Sequence, residues 1–327
     1  MKKIISKYNR ITYIDLYKSI GIILMIMGHV GFGNLFEKCI HAFHMPLFFF
    51  ISGFLFKGNN RSFNQVLKKK TKTLLIPYIM WGVISLGIYF SFKGFDIGCI
   101  RIFLWDNTRG IAISGALWFL TALFIADLIF FFVEKIVKKI YIKISIYISL
   151  SIIGILFPKT AFLVPFALCP AMVGTGFMAI GFYYKKINEK IEKSLLLSNS
   201  ALLNVVFVIF GELVAQINIT VNMRTSTYGN CFLFYVSSIM ICIGLLNFSK
   251  WIDKKMKIKF LLTIGENSII FVCANQLVIY AIGFICNRIG IYDGLLFKSL
   301  FFLLTILILW IVNIAISNTK LKFLIGR

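Results

Sequence analysis

The chain is a succession of long apolar runs separated by short polar clusters. A helix needs about 20 mostly apolar residues to cross the hydrocarbon core of a bilayer. Ten runs approach or reach that length, at residues 11–33, 42–56, 73–92, 114–133, 140–157, 161–183, 195–216, 229–248, 260–286 and 297–317. The pattern predicts an all-α polytopic membrane protein of about ten transmembrane helices. Composition strengthens this: 59% of the 327 residues are hydrophobic and 14% are charged, against about 45–50% and about 25% in soluble domains. So much apolar surface leaves almost nothing for a separate soluble domain, and residues 1–327 read as one transmembrane domain.

The formal charge of +23 would suggest nucleic acid in a soluble protein, but in a membrane protein it first reports topology. If both termini are cytoplasmic, 26 of the 35 Lys and Arg residues fall on inside segments and 8 on outside segments, as the positive-inside rule requires. The one cation on neither side is Lys18, within the first run. That run also holds Asp15 and His29 and leads straight into more apolar sequence, so it reads as a retained span rather than a cleaved signal peptide. The seven cysteines lie mostly inside apolar runs without a CxxC pair, which predicts neither disulfides nor a thiolate metal site. The outside stretch long enough to fold over a site is residues 93–113.

Ionisable groups at membrane depth are costly and are functional candidates by default. Lys18 and His29 are 11 residues apart; at about 100° per residue they share one helix face, about 16 Å apart along the axis. Asp15 joins the same stripe and forms an i,i+3 pair with Lys18. The pair reads equally as an interface ion pair, with Lys18 snorkelling, or as one end of a site for an elongated ligand. The three histidines, His29, His41 and His44, gather around the turn between the first two spans. With no recognisable ligand spacing to complete them, they do not predict zinc. The buried acids Asp127 and Glu212 read best as helix-packing groups, whereas Glu266, beside Asn267 and Ser268, reads equally as structural or as a ligand for acceptor hydroxyls. Trp118 reads as an interface anchor or as a platform for a sugar ring.

A Lys, ten residues, then His29 at the end of the first run, followed by His44-Met45-Pro46-Leu47-Phe48-Phe49-Phe50-Ile51-Ser52-Gly53-Phe54, resembles the acyltransferase-3 family of integral membrane O-acyltransferases, closest to its fucose 4-O-acetylase-like sugar O-acetylase branch. Softer matches are Trp118-Phe119-Leu120, Ile180-Gly181-Phe182-Tyr183-Tyr184 and Ile264-Gly265-Glu266-Asn267-Ser268. The likeness spans essentially the whole chain. Two departures stand out: Lys18 occupies a position where many relatives carry Arg, and Asn275 one where many carry His.

The resemblance implies transfer of an acyl group, usually acetyl from acetyl-CoA, to a sugar hydroxyl of a cell-surface polysaccharide or lipid-linked precursor, by a multi-pass enzyme of a bacterial-type cytoplasmic membrane. It makes acyl-CoA and a glycan the partners, with no metal and no nucleic acid. Lys18 with Asp15 then belongs to the acyl-CoA site, because coenzyme A is a long cytoplasmic polyanion. His29 becomes the general base for the acceptor hydroxyl, with a transient acyl-imidazole as a variant. His44, His41, Trp118, Glu266 and Asn275 are the supporting or acceptor-site candidates, and His44 or Glu266 is the neighbour expected to orient His29. The competing reading is a polytopic transporter or flippase for a glycan or lipid-linked sugar, which shares the ten-span format with polar groups near mid-membrane.

Overall fold

A computed structural model describes residues 10–57, 61–157, 165–191, 200–289 and 294–326. The cations Lys2, Lys3, Lys7, Lys159, Lys193 and Arg327 of the charge count lie outside the described residues, as do the first residues of the runs at 161–183 and 195–216. Among the described residues ten helices have 17 or more residues: α1 (Thr12–Val30), α2 (Asn34–Phe54), α3 (Ile76–Lys93), α4 (Trp118–Ile136), α5 (Ile140–Leu156), α6 (Leu168–Ile191), α7 (Ala201–Ile217), α8 (Cys231–Lys255), α9 (Ser268–Ile289) and α10 (Leu295–Ser317). Each overlaps one apolar run of the sequence. Six segments are both long and apolar enough to cross a membrane, namely Thr12–Val30, Phe63–Lys93, Gly115–Ile136, Cys231–Lys255, Ser268–Arg288 and Leu295–Ser317, while α5 and α7 are apolar but shorter. The protein is a polytopic α-helical membrane protein.

Several boundaries depart from the apolar runs because helix formation follows backbone geometry rather than hydropathy. Gly31 and Gly33, with φ of 86° and 117°, end α1 and open α2, a conformation that favours glycine. As a result α2 begins at Asn34 and includes the polar turn with Glu37 and Lys38. The third run is the end of a longer helical stretch, in which a helix at Phe63–Lys70 and a π-turn at Thr71–Leu75 lead into α3. The ninth run is broken at Asn267, leaving a short helix, Lys259–Glu266, ahead of α9.

The core lies where α2 packs against α6 and α1. Tyr17, Ile22, Phe49, Phe50 and Phe177 are fully buried there. The approach of α2 to α6 depends on two glycines: a side chain at Gly53 would collide with the Met178 carbonyl, and one at Gly181 with the Phe50 carbonyl. Pro46, inside α2, has no N–H for the Ala42 carbonyl. Ser238 of α8 supplies the missing donor, its Oγ lying 2.6 Å from Ala42 O. Outward faces are apolar, as in Ile144, Ile148 and Ile152 of α5 and Leu300, Leu303, Leu307, Ile311 and Ile314 of α10. Their spacing of three or four residues makes one stripe per helix, suited to lipid contact.

Two buried carboxylates in the bundle, Asp127 and Glu134, are neutralised. Asp127 of α4 accepts from Lys70 Nζ at 2.5 Å and Ser52 Oγ at 3.0 Å. Glu134 accepts from Lys143 Nζ, Tyr147 OH and Tyr183 OH at 2.7, 3.1 and 3.0 Å. Both groups tie helices together, the role expected of a polar side chain in an apolar interior.

Candidate active site

Two cavities lie at opposite ends of α1. They share no lining residue. At the C-terminal end, the tight Gly31–Gly33 connection folds α2 back so that His29, in the last turn of α1, faces the same space as His41 and His44, two to three turns into α2. This space has a volume of about 200 Å³, and Met45, Trp118, Asn222, Arg224 and Gln276 complete much of its wall. The His41 and His44 rings lie 5.2 Å apart between centroids. His44 Nδ1 is 2.7 Å from the Ile40 carbonyl, which accepts only, so Nδ1 carries the proton and Nε2 keeps its lone pair. His41 Nδ1 is buried without a hydrogen-bond partner among the described residues. Trp118 is 5% exposed, so it is a wall of this cavity rather than an anchor in the membrane interface.

A wider vestibule of about 450 Å³ adjoins this cavity and shares His29, Gly115, Arg224 and Gln276 with it. Its wall comes largely from residues 109–115, within and just beyond the long outside stretch of the sequence. That stretch is ordered by its own polar groups. Asn107 Nδ2 donates to Thr121 Oγ1 at 2.8 Å and Tyr78 OH at 3.1 Å, and Ser85 Oγ bonds Ser114 Oγ at 2.6 Å. The Ala116 amide donates to Gln276 Oε1 at 2.7 Å, joining the loop to α9. Arg224, in the connection between α7 and α8, has its pKa lowered from the ordinary value by burial.

The cavity at the N-terminal end of α1 has a volume of about 480 Å³ and a different chemistry. Arg10, Lys18, Lys57, Lys185 and Lys250 line it, against one carboxylate, Asp15. Asp15 is 5% exposed and pairs with Arg10 Nε at 2.5 Å and with Lys18 Nζ at 3.3 Å. Arg10 also pairs with Glu266. Desolvation works against the Arg10 charge, but its hydrogen bonds and attraction to Asp15 and Glu266 hold its pKa above the ordinary value. Lys250 lies over the Tyr13 ring at 5.5 Å and Lys185 over Phe54 at 5.7 Å, so the cationic wall is partly fixed by aromatic rings.

Of the sequence candidates, His29, His41, His44 and Trp118 thus share one cavity, and Asp15 and Lys18 the other. Glu266 sits with Arg10 at the Lys18 end, so it does not reach His29, and the orienting role expected of it there does not hold. Asn275 is fully buried and turned onto its own helix, donating to the Phe271 and Val272 carbonyls at 2.9 and 2.6 Å; its neighbour Gln276 faces the His29 cavity instead. Sequence reasoning did not single out Arg10, Arg224 or Gln276. Arg10 had one available signal, its position one turn before the buried Asp15; Arg224 and Gln276 had none, since only the fold brings the α7–α8 connection and α9 to His29. Among the described residues no cluster of three or more His, Cys, Asp or Glu is arranged to hold a metal ion.

Residues 11–314 match the family described as "Acyltransferase domain". A nodulation protein NolL of Sinorhizobium fredii is 34% identical over 35% of this chain and 34% of its own length. A nodulation protein NolL of Mesorhizobium japonicum is 29% identical over 48% of this chain and 44% of its own. The chain therefore spans less than half the length of these curated relatives in either alignment. No solved structure matches it. With the family match running across almost all of the helical bundle, the chain belongs to the acyltransferase-3 family and is a multi-pass membrane protein.

Proposed function

We propose that this protein is an acyltransferase that moves an acetyl group from cytosolic acetyl-CoA to a hydroxyl of a cell-surface polysaccharide or lipid-linked sugar, with His29 as general base. The observation that carries the reading is the polarity of α1: a cavity with five cations at its Lys18 end and a cavity with three imidazoles at its His29 end. Ten helices cross the cytoplasmic membrane in this reading, with both termini and the Lys18 cavity on the cytoplasmic side. The distribution of Lys and Arg supports that orientation.

The phosphates of acetyl-CoA bind among Arg10, Lys18, Lys57, Lys185 and Lys250, where charge-assisted hydrogen bonds are strongest. Asp15 holds Arg10 and Lys18 in position and offsets part of their mutual repulsion. In this reading the pantetheine arm has to cover the rise of about 16 Å from Lys18 to His29. At the far end, His29 removes the proton from the acceptor hydroxyl as its oxygen attacks the thioester carbonyl. The C–S bond then breaks, and the coenzyme A thiolate leaves and takes up a proton. His44 and His41 flank the reacting groups, and Trp118 offers a flat apolar wall to a sugar ring.

The test is coenzyme A release and acetyl incorporation when purified protein, labelled acetyl-CoA and a candidate glycan are mixed in detergent. The expected result is transfer by the wild type and about 100- to 10,000-fold less by His29→Ala that still binds coenzyme A. Full transfer by a folded His29→Ala protein removes the assigned base. Glycan movement across liposomes in the absence of acetyl-CoA points instead to transport.

A further inference from the structure

Arg224 stands where the His29 cavity opens into the vestibule and lines both spaces. It projects from a short turn closed by the antiparallel bridge Asn222–Thr227. Its guanidinium lies over Gly110 and Gly115, and a side chain at either glycine would occupy its position. Gly110 has φ of 98°, a backbone that also favours glycine. The loop thus forms a cradle for one planar cation next to His29.

The charge in that cradle is unbalanced. Among the described residues no acidic side chain lines either space. The other cation of the vestibule, Arg109, is largely exposed and pairs with Asp106 at 2.5 Å. Arg224 makes no ion pair with a described residue, although this chain pairs its buried charges elsewhere, at Asp15, Asp127 and Glu134. A partly desolvated guanidinium without a counter-ion is costly and is best retained when a ligand supplies the anion. Its flat fork matches a carboxylate or phosphate in two parallel hydrogen bonds.

We infer that Arg224 binds an anionic group of the acceptor beside the hydroxyl presented to His29, so that the acceptor is an acidic sugar. The inference rests on the acyl-transfer reading above and narrows its acceptor. It assigns the carboxylate or phosphate to the vestibule, separate from the phosphates of the donor at the other end of α1.

Binding of three probes to the purified full chain in detergent tests it: methyl β-glucuronide, glucose 6-phosphate and methyl β-glucoside. At least one anionic probe is expected to bind about tenfold or more tighter than the neutral glucoside, the margin of a lost charge-assisted pair. Preference for the glucuronide assigns a carboxylate and preference for glucose 6-phosphate a phosphate. Arg224→Gln should erase the difference while leaving coenzyme A binding unchanged, and Arg224→Lys, which keeps the charge without the fork, should retain part of it. Equal binding of all three probes, no binding of any, or a preference that survives in both variants overturns the inference. So does a loss of transfer in Arg224→Gln that is equal for neutral and acidic glycans, since that pattern belongs to transition-state stabilisation. Acetyl transfer to a glycan without anion preference overturns this inference alone. Anion preference in a protein that transfers no acetyl group to any glycan overturns the acyl-transfer reading instead.

Discussion

The two ends of α1 present opposite solutions to keeping polar groups in an apolar bundle. At the Lys18 end, charge is concentrated and largely cross-paired: Asp15 is shared by Arg10 and Lys18, Arg10 also meets Glu266, and three further lysines line the space. At the His29 end no carboxylate stands in the wall among the described residues, and imidazoles, two carboxamides and one guanidinium make its polar lining. The first chemistry suits holding a polyanion, because clustered cations raise the local potential. The second suits proton transfer, because neutral imidazole both accepts and donates. In the proposed reading a single helix of 19 residues carries a binding end and a reacting end, separated by the buried Ile22, Met25 and Ile26.

This division is open to direct attack. His29→Ala should produce the largest effect, a fall in acetyl transfer of about 100- to 10,000-fold, typical for a positioned general base. Coenzyme A affinity should stay unchanged, and titration calorimetry alongside the rate assay checks both. Lys18→Ala should do the reverse, raising the KM for acetyl-CoA by about 10- to 100-fold, the equivalent of a lost hydrogen bond to a charged group of about 1.5–3 kcal/mol. Its kcat at saturating donor should hold. The Lys18 effect should also shrink with added salt, since screening weakens partly exposed charges; a salt-independent effect would place Lys18 outside the donor site.

Two smaller predictions concern the scaffold that both ends share. Gly181→Leu forces a side chain into the Phe50 carbonyl, and overpacking of that kind costs about 1–3 kcal/mol or more. Thermal unfolding in detergent should show a lower Tm, and both donor binding and transfer should suffer, unlike the one-sided variants. Ser238→Ala removes the donor that serves the Ala42 carbonyl freed by Pro46, and should cost about 1 kcal/mol. Because Ala42 lies between His41 and His44, any activity loss from Ser238→Ala should appear in transfer rather than in coenzyme A binding.

Much of the bundle was legible from the chain. Long apolar runs mark helices because backbone polar groups in a bilayer must be satisfied within the segment, and all ten runs correspond to helices of 17 residues or more. The shared face of Asp15, Lys18 and His29 followed from helical periodicity. Boundaries were less legible: Gly31 and Gly33 shorten the first run, and the break at Asn267 splits the ninth, features of backbone geometry to which a hydropathy pattern is blind. Glu266, the last residue before that break, pairs with Arg10 rather than with the imidazoles.

What the sequence determined by itself was periodic and local: the membrane class, the helical runs and the polar stripe of α1. These depend on residues close along the chain, where 3.6-residue geometry fixes who shares a face. The tertiary structure alone decided which distant side chains complete each end. Arg224 and Gln276 reach His29, and Lys57, Lys185 and Lys250 gather around Lys18, because connections and helices far apart in sequence pack at the same end of one buried helix. No local pattern encodes that meeting. It follows from how α2 and α6 nest at Gly53 and Gly181, how α1 meets α2 at Gly21, and from the loop that lays Gly110 and Gly115 beneath a guanidinium more than a hundred residues away.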